Sequence, residues 1–86
     1  YMLTGPVTII GRGSESDIIV DDSGVSRRHL EIRLTAGHTV ATDLGSTNGT
    51  FVEGVRMDAA TLVNGNTITI GHTTIMFWDG SDEVSG

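Results

Sequence analysis

The alternation of apolar and polar residues in short runs limits the fold of this chain more than any other feature. Residues 30–35 and 67–70 alternate one by one, which is the period of a strand with one buried face. Other short runs are β-branched or apolar, at residues 7–10, 18–20, 39–42, 51–53 and 73–78. Turn signals separate the runs at spacings of about eight to twelve residues. The pattern predicts an all-β sandwich or barrel.

The domain organisation follows from length and tail composition. Residues 57–63 are the only candidate for a helix, and they are too few to form one. We predict one domain over residues 1–78, with room for one modest core. Residues 79–86 are acidic and are predicted to be a flexible tail or linker. Because the chain begins with Tyr1 and not methionine, we expect it to be a piece of a longer protein.

Composition excludes several classes of function. The chain has no cysteine, so it can form neither a disulfide nor a thiolate metal site, and a reducing cytoplasm is its expected location. Its net charge of −6 argues against nucleic acid or an anionic membrane as the partner. No apolar run is long enough to cross a bilayer, and the first residues show no signal-peptide pattern.

The cations of this acidic chain are all arginines, and three of the five lie in two short segments that also contain glycine or serine. Arg12 follows Gly11, and Arg27 and Arg28 follow Ser26. A guanidinium group presents a planar fork of donors that matches two phosphate oxygens. This grouping favours recognition of one local anion over binding of a polyanion.

The sequence gives little support to the hypotheses that these segments bind a nucleotide or form a catalytic site. A dinucleotide fingerprint at Gly11 would need a third glycine where Ser16 stands, and a nucleotide-hydrolysing loop would need a lysine. Ser26, His29 and Asp43 could form a nucleophilic group, but no strained elbow surrounds the serine. The three histidines are widely spaced and show no metal-ligand pattern. We therefore predict no catalytic residue, no metal and no cofactor.

A polar segment at residues 43–51 contains Asn48-Gly49, the strongest short hairpin signal in the chain. The segment is longer than a hairpin requires. Ser46, Thr47 and Asn48 carry groups that can bond an anion or a peptide backbone. A simple turn and a binding loop remain equally good interpretations of these residues by themselves.

Four motifs in this order resemble the forkhead-associated (FHA) domain. They are Gly11-Arg12, Ser26-x-x-His29, the polar segment 43–51, and residues 62–71 with their Asn-Gly-Asn turn. The match extends from about residue 7 to residue 77. The resemblance implies a β-sandwich of about eleven strands, whose loops at one end hold a phosphothreonine peptide.

The resemblance also implies roles for individual residues. Phosphopeptide binding is expected of five residues: Arg12, Ser26 and Arg27 at the phosphate, with Thr47 and Asn48 from the next loop. Loop shaping without ligand contact is expected of Gly11, His29 and Gly49. Gly24 and His72 are candidates for reading residues that flank the phosphothreonine, and Arg28 is expected to point away.

The partner that the resemblance implies is a phosphothreonine-containing protein, namely a Ser/Thr kinase or its substrate. Residues 24–30 are most similar to actinobacterial members of the family that act with such kinases. The expected function is recruitment of phosphorylated partners, without catalysis, nucleic acid or membrane insertion. The alternative is a domain of the same fold that binds a protein surface independently of phosphate.

Overall fold

The computed structural model describes residues 5–35 and 37–78. In those ranges the chain is all-β and forms nine strands without a helix. The strands are β1 (Val7–Gly11), β2 (Ile18–Ile19), β3 (Leu30–Thr35), β4 (His38–Asp43), β5 (Thr50–Val52), β6 (Val55–Met57), β7 (Ala59–Thr61), β8 (Thr67–Ile70) and β9 (Thr73–Met76). Within these residues, no helix is long and apolar enough to span a membrane.

The strands form two sheets, which confirms the predicted sandwich. One sheet has the order β2-β1-β3-β4-β7 and the other the order β6-β5-β8-β9. Neighbouring strands are antiparallel except for β1 and β2, which run parallel with Ile10 opposite Ile18. The described residues thus contain nine of the roughly eleven strands that the family resemblance implied.

The inner faces of the two sheets form one apolar core. In β3, Leu30 and Ile32 are buried, whereas Glu31 and Arg33 face outward, as the alternation predicted. Ile68 and Ile70 supply the matching face of β8. The core is completed by buried residues of the other strands and loops: Ile10, Val25, Ala41, Val52, Leu62 and Phe77. Burial of this apolar surface makes the sandwich a rigid support for its loops.

The segment between β5 and β8 contains two strands that sequence patterning missed. Residues 57–63, rejected as a helix, contribute to β6 and β7, which belong to different sheets. β5 also ends one residue earlier than predicted, because Glu53 and Gly54 have φ angles of 52° and 80° and form the hairpin turn to β6. Cross-strand pairing decides the structure of these short segments, which carry little periodic signal.

The predicted tail at residues 79–86 lies outside the described residues, as do residues 1–4. The boundary at residue 78 therefore stays a prediction. Nothing in the packing of the described residues contradicts a single domain, since both sheets share one core.

Candidate functional site

Three loops meet at one end of the sandwich, at residues 12–17, 20–29 and 44–49. Main-chain hydrogen bonds join them directly. Arg12 N donates to the Ser26 carbonyl and Gly13 N to the Arg27 carbonyl, each at 2.9 Å. Leu44 N donates to the carbonyl of His29 at 2.9 Å. The first two loops are thus held against each other, and the third is fixed to the end of the second.

Gly11 allows the first two loops to approach this closely. A Cβ at residue 11 would lie 2.1 Å from the Arg27 carbonyl oxygen and 3.0 Å from the Arg28 Cα, both main-chain atoms that cannot move aside. No side chain fits there, so glycine is required by space and not by dihedral angle. The close approach places Arg12 beside Ser26.

The Arg12 side chain is exposed but anchored. Its Nε donates to the Val25 carbonyl at 3.0 Å, and this is its one side-chain bond within the described residues. The two terminal nitrogens of the guanidinium therefore remain available to an incoming anion. Anchoring at Nε removes part of the side-chain entropy that binding would otherwise cost.

Ser26 faces the loop that contains Thr47. The Ser26 hydroxyl oxygen accepts a hydrogen bond from Thr47 N at 3.2 Å, which leaves its own proton free to donate. The neighbouring Asn48 donates from Nδ2 to the Gly24 carbonyl at 2.8 Å. The structure thus brings residues of the second and third loops into direct contact, and Thr47 and Asn48 are both exposed.

His29 is completely buried and connects the second and third loops. Its Nδ1 lies 3.1 Å from Ser26 N, and its Nε2 lies 2.8 Å from the Gly49 carbonyl oxygen. Because a main-chain N–H can only donate, Nδ1 must be the acceptor, and the single ring proton of a neutral imidazole is on Nε2. His29 therefore bonds the main chain of Ser26 and not its hydroxyl, so the pair lacks the hydrogen bond that activates a nucleophilic serine.

Asp43 organises the third loop, a role that sequence reasoning did not assign. Its Oδ1 accepts from the hydroxyls of Ser46 and Thr50, and its Oδ2 accepts from the N–H groups of Gly45 and Ser46. Partial burial raises the pKa of Asp43, but the bonds from Ser46 and Thr50 outweigh it and the net pKa is lowered. Asp43 Oδ1 is 3.8 Å from His29 Nε2, beyond hydrogen-bonding distance.

Asp22 connects the second loop to the turn between β8 and β9, another role that was missed. Its Oδ1 accepts from Gly24 N at 2.8 Å, and its Oδ2 accepts from His72 N at 2.8 Å and the Thr73 hydroxyl at 2.6 Å. The Thr73 hydroxyl, followed by Gly24 N, lowers the pKa of Asp22. The sequence signal was the Asp-x-Gly pattern of an Asx turn.

The two candidate specificity residues are brought together by Asp22. A Cβ at Gly24 would lie 3.3 Å from His72 Nδ1, so the two residues are in contact. The imidazole of His72 is well exposed beside them. Gly24 also supplies the carbonyl that binds Asn48, so this second surface is continuous with the three loops.

The lowered pKa values predict how stability depends on pH. Stability from Asp22 and Asp43 is complete above the ordinary carboxyl pKa of about 3.9, and it is lost as pH falls through the lowered folded-state values. We expect the unfolding free energy to fall steeply below about pH 4. Urea unfolding at neutral and acid pH should show Asp22→Asn and Asp43→Asn less stable at pH 7 and less acid-sensitive. Variants that parallel the parent at every pH would contradict this assignment.

The remaining arginines of the motif segments are exposed. Arg27 forms an ion pair with Glu15, with 3.4 Å between the Arg27 Nη2 and the Glu15 Oε2. Arg28 is exposed, and no hydrogen bond or ion pair of its side chain forms within the described residues. In the described ranges, no group of three or more acidic, histidine or cysteine side chains could hold a metal ion.

The β-sandwich presents arginine, serine and asparagine on end loops that hydrogen bonds hold together. This arrangement is that of a loop-based binding module. The family model for the FHA domain matches residues 8–71, which is more than half of the chain. The chain therefore belongs to the FHA domain family, and the resemblance seen in its sequence motifs is confirmed.

Individual relatives give the same result. The chain is 44% identical over 80 residues to the glycogen accumulation regulator GarA of Mycolicibacterium smegmatis, covering 93% of this chain and 51% of GarA. It is similar to the FHA domain of FhaA, solved in complex with the intracellular domain of Rv3910, with 42% identity, a TM-score of 0.85 and coverage of 88% and 84%. It is also similar to Mycobacterium tuberculosis EmbR, solved with a low-affinity phosphopeptide, with 38% identity, a TM-score of 0.86 and coverage of 88% and 20%. The chain spans about half the length of the curated relatives that it matches first.

Proposed function

We propose that this chain is a phosphothreonine-binding module that recruits phosphorylated partner proteins in Ser/Thr kinase signalling. One observation carries the proposal. Arg12 and Ser26 are held together by main-chain bonds, yet the terminal guanidinium nitrogens and the hydroxyl proton have no acceptor within the described residues. A phosphate group supplies three acceptor oxygens and nearly two negative charges, which match this unused set of donors.

The proposal gives each residue of the site the role that the family resemblance implies for it. Arg12 binds phosphate oxygens through its terminal nitrogens, and Ser26 donates its hydroxyl to the same phosphate. Arg27 adds a second charge. Thr47 borders the phosphate from the third loop, and Asn48 bonds the main chain of the peptide. His29, Gly11 and Gly49 hold the loops in place without touching the ligand.

The relatives support this choice of ligand and of biological setting. EmbR has been solved with a phosphopeptide, and the FhaA domain with an intracellular protein domain. GarA is a regulator by name, as is the oxoglutarate dehydrogenase inhibitor of Corynebacterium glutamicum. These relatives fit a non-catalytic adaptor that acts in the cytoplasm. In this proposal, residues 1–78 form the binding domain and a short linker follows them. The partner is a kinase or a kinase substrate.

Titration calorimetry with an oriented peptide library tests the proposal. The library has a fixed phosphothreonine and degenerate flanks, with phosphoserine and unphosphorylated libraries as controls. We expect binding to phosphothreonine peptides, with phosphoserine weaker by at least about tenfold because the threonine methyl is lost. No measurable binding is expected without phosphate. Equal binding of all three libraries, or of none by a folded chain, would favour recognition of a protein surface independently of phosphate.

A further inference from the structure

Glu15 places a carboxylate at the proposed phosphate site of the free protein. Its Oε2 lies 3.4 Å from the Nη2 of Arg27, and this ion pair is the one that Arg27 forms within the described residues. The carboxylate also lies over Gly13, because a Cβ at that residue would be 2.7 Å from Glu15 Oε1. Glu15 thus lies beside both of the motif segments that contain arginines, the one with Arg12 and the one with Arg27.

The backbone of this segment is fixed relative to Arg27. Ser16 N donates to the Gly13 carbonyl at 3.0 Å, which closes a tight turn with Glu15 within it. Both ends of the turn bond the same carbonyl, since Gly13 N and the Ser16 hydroxyl each donate to Arg27 O at 2.9 Å. Hydrogen bonds therefore hold the turn to the main chain of Arg27, the same residue whose side chain pairs with the Glu15 carboxylate.

A phosphate that binds Arg27 must compete with this carboxylate. The two side chains are 69% and 49% exposed, so the ion pair is screened by water and easily opened. Once displaced, the Glu15 carboxylate remains tied to the turn and repels a ligand of nearly two negative charges. Both effects oppose binding.

We propose that Glu15 is an internal competitor for Arg27 that limits the affinity of this domain for phosphothreonine peptides. The inference rests on the proposed function, because it concerns the same site. It makes Glu15 an affinity-determining residue: the free protein holds an anion on Arg27, and each ligand has to replace it. A ligand that makes few other contacts is therefore bound weakly.

Replacing Glu15 with glutamine tests the inference, because the side chain keeps its size and loses its charge. The probe is the tightest-binding phosphothreonine peptide from the library, or free phosphothreonine if no peptide is selected. We expect Glu15→Gln to bind the probe up to about fivefold more tightly at low salt. The gain should shrink as salt screens the charges. It should be smaller when Arg27 is already alanine, because only the repulsion between Glu15 and the ligand then remains.

Glu31→Gln is the matched control. Glu31 forms an ion pair with Arg33 at 3.2 Å on the outer face of β3, where the two side chains are 18% and 52% exposed. Its replacement therefore changes net charge equally without touching the loops. Equal tightening in Glu31→Gln, or an unchanged affinity in Glu15→Gln, would overturn the inference. If Arg27→Ala binds too weakly to measure, the comparison of the two glutamine variants decides it. Failure of the parent chain to bind any phosphothreonine ligand would instead contradict the proposed function.

Discussion

Replacing Arg12 with alanine is expected to weaken binding of phosphothreonine peptides roughly 10- to 150-fold. The estimate takes about 1.5–3 kcal/mol for hydrogen bonds to a charged group, with about 1.4 kcal/mol for each tenfold change in affinity. The loss should appear mainly in binding, because the loop bond of Arg12 to Ser26 uses main-chain atoms that alanine keeps. The fold loses only the bond from Arg12 Nε to the Val25 carbonyl. Calorimetric titration of the variant with the selected peptide measures the effect, and thermal unfolding checks the fold.

Two further variants separate the geometry of Arg12 from its charge. Arg33→Ala removes an arginine that is paired with Glu31 on β3, and it should bind the peptide like the parent chain. Arg12→Lys keeps the charge but cannot bond Val25 and present a fork of donors at once, so it should recover only part of the affinity. Full recovery by lysine would show that charge alone suffices. An unaffected Arg12→Ala variant would remove the basis of the proposed site.

Replacing His29 with alanine is expected to lower the free energy of unfolding by about 3–5 kcal/mol. The change leaves Ser26 N and the Gly49 carbonyl without their partner, at about 1–3 kcal/mol each, and creates a cavity in a fully buried position. For a domain of this size the melting temperature should fall by at least about 12 °C. Peptide binding should weaken too, since His29 joins the loops of Ser26 and Gly49.

His38 provides the control for His29, because it is an exposed histidine in β4. His38→Ala should leave both stability and peptide binding close to the parent values. His29→Gln should be intermediate, because its amide nitrogen can donate from the position of Nε2 to the Gly49 carbonyl, whereas the position of the Nδ1 acceptor is left empty. A melting temperature of His29→Ala close to that of the parent would contradict the assigned role of the imidazole.

The fold could be predicted from local sequence wherever one face of a strand is buried. β8 follows the alternation residue by residue, and β3 follows it as far as Arg33, because Leu30, Ile32, Ile68 and Ile70 all face the core. The alternation also predicted a buried Leu34, which is exposed at the end of β3. β6 and β7 could not be predicted in this way. Each has three residues, all of them exposed or half-buried, so its own pattern carries little signal. β6 is determined by hairpin pairing with β5, and β7 by pairing with the more distant β4.

The residues of the candidate site likewise divide into those that the sequence could predict and those that it could not. Arg12, Ser26 and Asn48 are expected in one site because of the family resemblance, since each motif alone is unspecific. Their loops do lie side by side in the structure. The contacts of Asp22 and Asp43 could not be predicted, because their partners are set by loop packing. Asp22 bonds residues fifty positions away at the turn between β8 and β9. The pairing of Glu15 with Arg27 could not be predicted either, because it depends on how the two loops pack against each other.

The parallel pairing of β1 and β2 has a kinetic consequence. Parallel neighbours usually need a crossover of a dozen or more residues, yet here the chain leaves Gly11 and returns at Ile18 to lie beside Ile10. So short a connection can adopt few conformations once the two strands are paired. Its conformation is therefore fixed when the sheet forms. Peptides therefore meet a loop already shaped for them, and encounter rates should differ little among loop variants of equal charge. Differences in affinity should appear mainly as differences in how long a bound peptide stays.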